Sequence, residues 1–278
     1  MKCLICNETS HYYFKKDFDS PYKEYLGVVE YYRCPHCGFV FSKTHALMDQ
    51  SSWEKVNHLF HTYIEDPRSK KICNQPPYLE QAMLINVLDK SGLVSLKSAI
   101  DWAGGYGTLS KALKKYFGIT IPVYEKYMQS HSDCLQSGDG NSVRYILEDE
   151  LEDYETVINS AVFEHVTQRN HLDDINHCVR NNGCLILHTV VCENIPQDPN
   201  WFYLIPVHCA FHTNKSMDLL MKQWNYQSSI YCPLAKCWVL LKGKNQKENR
   251  MADLAKAIND EFQFNYLYYK RGFMNYWR

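Results

Sequence analysis

The chain has 278 residues, 45% of them hydrophobic and 22% charged, a composition that is typical of a folded globular protein and excludes extensive disorder. Its formal net charge of -1 excludes an overall field that would attract nucleic acid or an anionic membrane. No apolar run approaches the roughly 20 residues that span a bilayer, and the N-terminus lacks the apolar stretch of a signal peptide, so we expect a soluble, cytoplasmic protein.

Two Cys-x-x-Cys pairs stand near the start of the chain: Cys3 with Cys6, and Cys34 with Cys37. Two such pairs can close a tetrahedral cage of four thiolates, which suits a structural zinc ion and leaves no open position for catalysis. The alternatives are two disulfides, a redox-active dithiol, and a zinc site in which His36 replaces one thiolate. Disulfides are unusual in the cytoplasm and a redox dithiol needs only one pair, so we expect zinc on the four cysteines.

Composition divides the chain into four parts. Residues 1–45 are rich in aromatic residues and cysteine, and we expect a zinc-binding ribbon there because this part lacks an adequate core of its own. Residues 46–95 are typical of a helical linker or lid, and residues 96–243 of a main α/β domain. Residues 244–278 form a tail that is too aromatic to remain in water, so we expect it to pack on the main domain or on the second subunit of a homodimer.

Hydrophobic patterning predicts strands and helices in alternation along the main domain. Alternation of this kind is typical of a parallel sheet covered by helices on both faces. We therefore predict a Rossmann-like α/β fold with a mainly parallel sheet of seven strands, in which the last two strands pair antiparallel at an edge. The predicted strands cover residues 98–101, 119–124, 143–147, 156–159, 184–191, 227–231 and 237–241, and the predicted helices cover 78–88, 106–117, 169–180 and 215–224.

A turn of small residues follows the first predicted strand, in the run Asp101-Trp102-Ala103-Gly104-Gly105-Tyr106-Gly107. Glycine and alanine let a ligand lie against the backbone of such a turn. The dinucleotide signature G-x-G-x-x-G is incomplete, because position 110 is serine. The second predicted strand ends at Tyr124, and the carboxylate of Glu125, which follows it, can accept hydrogen bonds from both hydroxyls of a ribose.

The spacing of Asp101, Ala103, Gly105 and Gly107 resembles the first motif of the class I S-adenosylmethionine (SAM) methyltransferases, an acidic residue followed by three small residues at every second position. Alanine at position 103 stands where the family has its first glycine. The resemblance implies that SAM binds along the whole turn, in contact with residues 101 and 103–107, and that the carboxylate of Glu125 holds its ribose.

Further segments extend this resemblance. The run Phe163-Glu164-His165-Val166 follows the fourth predicted strand, where many small-molecule methyltransferases of this class carry Glu-His-Val or Glu-His-Leu beside the cofactor. By this likeness Phe163, Glu164 and His165 lie near the transferred methyl group or the adenosine. The remaining contacts implied by position are Leu147 and Glu148 for the adenine, with Tyr78 and Tyr106 for the methionine part of SAM.

The segment 206–220 resembles the stretch His-x-x-Phe-aromatic-Thr-x-x-Ser-Leu that shapes the acceptor pocket in this family. His212 stands here in place of the expected aromatic residue. A hydroxyl acceptor is a poor nucleophile at neutral pH, and histidine suits the base that would activate it. We therefore expect the catalytic base among His208, His165 and His212, with His208 as the first choice. Each of them could instead orient the acceptor or pack in the core.

The combination of an N-terminal zinc segment with a class I methyltransferase resembles the sugar C-methyltransferases that act on nucleotide-linked deoxysugars, and shorter relatives from surface-polysaccharide clusters. It implies a small-molecule acceptor, most simply a hydroxyl of a nucleotide-linked sugar or of a polysaccharide precursor. A phosphate-derived group, such as a phosphoramidate, or an amine on such a precursor is an alternative. The longer relatives carry a further C-terminal domain that we do not expect in this protein, which leaves the acceptor open.

Three further interpretations stay open. An RNA methyltransferase would usually carry a basic stripe, whereas the charges of residues 1–45 are balanced, so we expect no nucleic-acid partner. A non-enzymatic interaction platform would not need the glycine turn and the ribose-binding acid. An NAD-linked oxidoreductase would need the dinucleotide signature that this turn lacks.

Overall fold

The computed structural model describes residues 1–65, 76–126, 143–243 and 248–275. The chain forms two compact units, and each unit is assembled from three stretches of sequence. The first unit comprises Met1–Gln75, Phe163–Leu172 and Val190–Leu220, and the second comprises Pro76–Val162, Asp173–Thr189 and Met221–Arg278.

Strands and helices are numbered in chain order. The strands are β1 (His11–Asp17), β2 (Val28–Arg33), β3 (Val40–Ser42), β4 (Ala99–Trp102), β5 (Val123–Tyr124), β6 (Tyr145–Ile146), β7 (Tyr154–Ser160), β8 (Val179–His188), β9 (Val191–Cys192), β10 (Ala210–Thr213), β11 (Tyr226–Cys232), β12 (Cys237–Lys242) and β13 (Tyr268–Arg271). The helices are α1 (Lys23–Leu26), α2 (Lys43–Ala46), α3 (Gln50–Glu65), α4 (Tyr78–Lys90), α5 (Thr108–Phe117), α6 (Arg169–His177), α7 (Asn214–Gln223) and α8 (Glu248–Phe262), with 3-10 turns at Glu148–Glu150 and Phe163–His165. Among the helices of the described residues, none is long and apolar enough to cross a membrane.

The first unit contains a five-stranded sheet in the order β1-β2-β3-β10-β9. Neighbouring strands are antiparallel except β10 and β9, which run parallel. The strands β1, β2 and β3 of the predicted ribbon therefore share their sheet with two strands that come from much later in the chain. Tyr31 of β2 stacks on Phe14 of β1 and contacts Phe211 of β10. These later residues supply apolar core that the N-terminal residues alone lack.

The second unit contains an eight-stranded sheet in the order β13-β11-β12-β8-β7-β4-β5-β6. The strands from β8 to β6 in this order are parallel, as the alternating pattern predicts. Residues 184–187 of β8 form a continuous apolar run that is buried on both faces of the sheet. Leu84 and Leu88 of α4 and Leu113 of α5 belong to the same core.

This sheet corrects the prediction of seven strands with an antiparallel pair at the edge. The last two predicted strands do pair antiparallel, as β11 and β12, but β12 lies inside the sheet, next to β8. An eighth strand, β13, comes from the aromatic tail and pairs antiparallel with β11. The tail thus packs on the sheet of its own unit, where Phe273 stacks on Trp238. A sheet edge accepts any extended segment that offers backbone hydrogen bonds, so patterning did not predict this strand.

The strand order of this sheet reverses at β4, with β5 and β6 on one side and β7 and β8 on the other. In open α/β sheets, ligands bind outside the carboxyl ends of the strands at such a switch point. Asp101 of β4 pairs with Val123 of β5 and with Ile158 of β7, so the three strands end at one edge. The glycine turn after β4 and Glu125 after β5 therefore meet at the carboxyl edge of the sheet.

Candidate functional site

The four N-terminal cysteines lie together in the first unit. The Sγ atom of Cys3 lies 3.6 Å from that of Cys37, and the Sγ atom of Cys6 lies 3.5 Å from that of Cys34 and 3.7 Å from that of Cys37. A tetrahedral zinc ion with Zn–S bonds of about 2.3 Å holds its sulfur atoms about 3.8 Å apart. The spacing fits zinc on the four thiolates, as the sequence predicts.

Each Cys-x-x-Cys turn forms one knuckle of the zinc site. The knuckle of Cys34 and Cys37 is held in place by residues from later in the chain. Gly38 has a φ of +74°, and a Cβ at this position would lie 3.0 Å from Cγ2 of Thr213, so both its conformation and its surroundings require glycine. The hydroxyl of Thr213 donates to the carbonyl of Cys37 at 2.5 Å. At the other knuckle, the guanidinium of Arg169 donates to the carbonyl of Ile5 at 3.3 Å. These contacts add to the order that a bound ion would give the cysteine backbone.

In the second unit, the turn after β4 has an unusual backbone. Ala103, Gly105 and Gly107 all have positive φ, at 56°, 52° and 66°. This conformation costs about 1–2 kcal/mol for a residue with a Cβ, so Ala103 is strained where the other two are not. A Cβ on Gly105 would meet no atom of the described residues within 4 Å. Among the described residues, the side of Gly105 on which a Cβ would stand is therefore free of close neighbours, which leaves room for a ligand against its Cα.

Asp101 lies against the backbone of this turn. A Cβ on Gly104 would lie 2.7 Å from Cγ of Asp101, which makes glycine necessary there. The Asp101 carboxyl is buried and accepts a hydrogen bond from the hydroxyl of Ser110 at 3.0 Å. Burial raises the pKa of Asp101 to about 7; the bond from Ser110 opposes this rise and the charge of Glu125 adds to it. The Asp101 carboxyl thus packs against Gly104 and Ser110 and supports the turn from the protein interior. The sequence predicts direct contact of this carboxyl with the cofactor.

Two side chains hold the peptide of Gly105. Its amide donates to Oε2 of Glu125 at 3.0 Å, and its carbonyl accepts from the hydroxyl of Tyr145 at 3.0 Å. Burial raises the pKa of Tyr145 to about 12, and the charges of Asp101 and Glu125 add to the rise, so the phenol keeps its proton and stays a donor. A carboxylate can accept about four hydrogen bonds, so Glu125 can bond Gly105 and still fit a ribose diol.

The remaining predicted cofactor contacts of this unit are Tyr78, Tyr106, Leu147 and Glu148. Tyr106 is 43% exposed and Leu147 is 52% exposed, and Glu148 opens the exposed 3-10 turn that follows β6. Tyr78 is the first residue of α4. The hydroxyl of Ser160, at the end of β7, donates to Gln81 in the first turn of that helix at 3.0 Å. The sequence-predicted contacts in this unit therefore lie at the carboxyl edge of the sheet, and three of them, Tyr106, Leu147 and Glu148, are exposed.

A cavity of about 870 Å³ lies on the opposite side of this unit. Its lining includes Ser95 before β4, Asp153 before β7 and Val179 at the start of β8, so it opens at the amino ends of the strands. Ligands of open α/β sheets bind at the carboxyl ends. We therefore place the candidate site at the glycine turn and not in this cavity.

In the first unit, the predicted residues Glu164, His165 and His208 come together. The rings of the two histidines are 5.0 Å apart and nearly perpendicular, and Glu164 and His208 are buried. Tyr203 contacts two of the three side chains. Its hydroxyl donates to Oε1 of Glu164 at 2.7 Å, and its carbonyl lies 2.9 Å from Nδ1 of His208. A carbonyl can only accept, so Nδ1 of His208 carries the proton and Nε2 is the basic atom of the neutral ring.

His212 lies outside the cluster of Glu164, His165 and His208. It is fully buried, with its ring 4.9 Å from that of Phe39 and 5.6 Å from that of Phe163. Burial lowers the pKa of His212 to about 3, and the backbone of Phe163 opposes this shift only in part. An imidazole sealed between two aromatic rings cannot reach an acceptor. The burial argues against the catalytic role predicted for His212 and against the cofactor contact predicted for Phe163, which is also fully buried.

We expect His212→Leu to make the protein less sensitive to acid. In the unfolded chain a histidine takes up a proton as the pH falls below about 6.5, whereas the native ring, with its pKa of about 3, does not. Proton uptake by His212 in the unfolded chain therefore lowers the unfolding free energy of the wild type by about 2 kcal/mol between pH 7 and pH 5. The variant lacks this contribution, so its unfolding free energy should fall by about 2 kcal/mol less. Urea denaturation at both pH values measures the two losses. Equal losses would contradict a buried, neutral His212.

Tyr145 and Tyr203 are the two residues that sequence analysis missed. The chain has 21 tyrosines, so residue type alone does not single out either of them. For Tyr145 a signal existed: the period of two in a strand places it on the same face as Leu147, which the resemblance already assigns to the cofactor. Tyr203 lies in no predicted element, five residues before His208, and its role depends on tertiary contacts alone.

No protein-family model matches the chain, and no curated protein matches it. Similar solved structures include the plantazolicin methyltransferase BpumL in complex with SAH, which is 10% identical, with 68% of this chain and 98% of that chain covered and a TM-score of 0.43. They also include a TehB-like SAM-dependent methyltransferase from Corynebacterium glutamicum, with 10% identity, 71% and 100% coverage and a TM-score of 0.39. The cyclopropane synthase MmaA2 from Mycobacterium tuberculosis is 14% identical, with 66% and 70% coverage and a TM-score of 0.40. At this level of similarity, the neighbours' activities carry no conclusion about this chain.

Proposed function

We propose that the chain is a SAM-dependent methyltransferase whose cofactor binds at the carboxyl edge of the eight-stranded sheet. The main observation in favour is Gly105, whose Cα has no close neighbour among the described residues on the side of a Cβ and whose amide is bonded to the carboxylate of Glu125. A nucleoside laid on this peptide would bring its ribose hydroxyls to that carboxylate, which can accept from both of them.

The charges of the turn favour a cationic ligand over a dinucleotide. Asp101 and Glu125 bring two carboxyl groups to one short turn, and the charge of Glu125 adds to the burial that raises the pKa of Asp101. The sulfonium and ammonium groups of SAM would be attracted to this region, whereas a pyrophosphate would be repelled. The incomplete glycine signature agrees with that preference.

SAM supplies a methyl group on a sulfonium that is already a strong electrophile, so the protein mainly has to bind and align the reactants. We assign the ribose to Glu125 and the close backbone approach to Gly105, whose carbonyl Tyr145 holds. Leu147 and Glu148 are the proposed adenine contacts, and Tyr78 and Tyr106 the proposed contacts of the methionine part. The four-cysteine zinc site has a structural role in this proposal, because four thiolates leave no open position.

The proposed acceptor is a hydroxyl of a nucleotide-linked sugar or of a surface-polysaccharide precursor. Its proton has to leave as its oxygen attacks the methyl group, and a neutral imidazole suits that step near pH 7. In the neutral ring of His208, Nδ1 donates to the carbonyl of Tyr203, which leaves Nε2 as the atom that would accept the proton. His165, whose ring lies 5.0 Å away, is the second candidate for the base.

The proposal is tested by incubating the protein with methyl-labelled SAM and separate acceptors: nucleotide-linked sugars, amine-bearing and phosphate-bearing sugars, and a short RNA. Mass spectrometry identifies the product. We expect the gain of one methyl group on a sugar hydroxyl, with release of S-adenosylhomocysteine. His208→Gln should lower turnover at saturating SAM by about 100-fold or more. The control His11→Gln, at an exposed histidine of the first unit, should keep full turnover. Methylation of the RNA alone would contradict the proposed acceptor.

A further inference from the structure

The cluster of Glu164, His165 and His208 has the composition and compactness of a metal site. One ligand atom from each side chain, a carboxylate oxygen or an imidazole nitrogen, lies within 4.8 Å of the other two. A transition-metal ion with bonds of about 2.1 Å holds neighbouring ligand atoms about 3.0–3.4 Å apart, a spacing within the 4.8 Å limit of this cluster. Two imidazoles and one carboxylate favour divalent transition metals over calcium and magnesium, which prefer oxygen ligands alone.

The candidate ligands make the hydrogen bonds to neighbouring groups that metal ligands usually make. Metal-binding histidines donate their other ring N–H to a carbonyl or carboxylate, and metal-binding carboxylates are themselves hydrogen-bonded. Tyr203 meets both requirements, since its carbonyl lies 2.9 Å from Nδ1 of His208 and its hydroxyl donates to Oε1 of Glu164 at 2.7 Å. One residue thus fixes the tautomer of His208, in which Nε2 is the atom that would bind an ion, and orients the carboxylate of Glu164.

Burial adds a second reason for a cation. Glu164 is only 1% exposed, and its own carbonyl accepts from the amide of Cys209 at 2.7 Å, so its backbone is fixed in the interior. A buried carboxylate needs hydrogen bonds or positive charge around it, and an ion held by Glu164 and the two imidazoles would add such charge beside the bond from Tyr203. His165 is partly exposed, which gives an ion a route to the cluster from solvent.

We propose that Glu164, His165 and His208 bind one divalent transition-metal ion, separate from the zinc of the four cysteines. Three protein ligands leave at least one coordination position open, where a water or a hydroxyl can bind. In methyl transfer, a part that rests on the proposed function, that position would take the acceptor hydroxyl and lower its pKa, so that its proton passes to solvent water while its oxygen takes the methyl group and S-adenosylhomocysteine leaves. Nε2 of His208 would be a ligand in the metal-bound chain, so the role of base proposed for His208 applies only to the metal-free chain.

The test is a titration of the zinc-loaded, full-length chain with Co²⁺ as the probe. Zinc already fills the four-cysteine site, so Co²⁺ at the new site should show the weak visible bands of nitrogen and oxygen ligands without thiolate charge-transfer bands. We expect one Co²⁺ per chain. Glu164→Gln should weaken Co²⁺ binding by at least tenfold, and Tyr203→Phe, which removes only the supporting hydroxyl, by about 10-fold. The control His11→Gln should bind Co²⁺ as the wild type does.

Zinc content of one ion per chain and an unchanged circular dichroism spectrum establish that each variant is folded. If Glu164→Gln fails that check, His165→Gln, at the partly exposed ligand, replaces it. No Co²⁺ binding by the wild type, thiolate bands alone, or unchanged Co²⁺ affinity in the folded ligand variant would overturn the proposal. A chain that binds SAM but not Co²⁺ refutes only the metal site, and a chain that binds Co²⁺ but not SAM refutes only the proposed function.

Discussion

Gly105→Ala should weaken SAM binding by about 10- to 100-fold while the chain stays folded. Gly105 has a φ of +52°, and a Cβ there would meet no atom of the described residues within 4 Å and would project into the space that the cofactor is proposed to occupy. Two effects follow from the added methyl group. The backbone strain costs about 1 kcal/mol of stability, and the overlap with a bound nucleoside costs about 1–3 kcal/mol of binding free energy.

Gly118→Ala is a matched control for this variant. Gly118 has a φ of +70°, and its added Cβ would also meet no atom of the described residues within 4 Å. It lies at the far end of α5, however, about 15 Å along the helix from the turn. Both variants should lose about 1 kcal/mol of unfolding free energy, but only Gly105→Ala should lose SAM affinity, as measured by calorimetry. Equal SAM affinities in the two variants would contradict a ligand on the peptide of Gly105.

Cys37→Ser should release the zinc ion and unfold much of the first unit. The Sγ atom of Cys37 lies within 3.7 Å of those of Cys3 and Cys6, so its loss opens the cage. Structural zinc contributes on the order of 10 kcal/mol to the folding of small zinc domains, and this unit takes part of its order from the two knuckles. Metal analysis should fall from one zinc per chain to nearly none, and hydrogen exchange in β1, β2 and β3 should increase strongly.

Cys192→Ser is the control for the zinc variant, because Cys192 is a partly buried cysteine in β9 of the same unit, outside the cage. It should keep one zinc ion per chain and the exchange protection of the wild type. A Cys37→Ser protein that keeps its zinc would contradict Cys37 as a zinc ligand. A variant that loses its zinc and stays equally protected from exchange would show that the ion is not structural.

The parallel part of the second unit could be predicted from sequence because its signals are local. The apolar run 184–187 predicts a buried strand, and the small residues after Asp101 predict a turn that opens a helix. The positions of Glu125 and the glycine turn then follow from the rule that parallel strands end at the same edge of a sheet. What the pattern did not contain was β13, whose pairing with β11 depends on a sheet edge being available.

The first unit was harder to predict because its sheet combines segments far apart in the chain. The strands β9 and β10 join β3 across more than 140 residues, and no local pattern encodes such pairing. The histidines of the segment 206–220 show the same limit. His208 and His212 look alike in sequence, yet one sits beside Glu164 and the other is sealed between Phe39 and Phe163. Tertiary packing alone decides which of them is available for chemistry.

The most direct measurement is a calorimetric titration of SAM into the wild-type protein and into Glu125→Gln. The substitution keeps the shape of the side chain and an oxygen for the amide of Gly105, and removes the charge that would accept the ribose hydroxyls. We predict that the wild type binds one SAM per chain and that the variant binds it at least tenfold more weakly, because a hydrogen bond to a charged group contributes about 1.5–3 kcal/mol. A wild-type protein that takes up no SAM, or a variant with unchanged affinity, would contradict the proposed cofactor site.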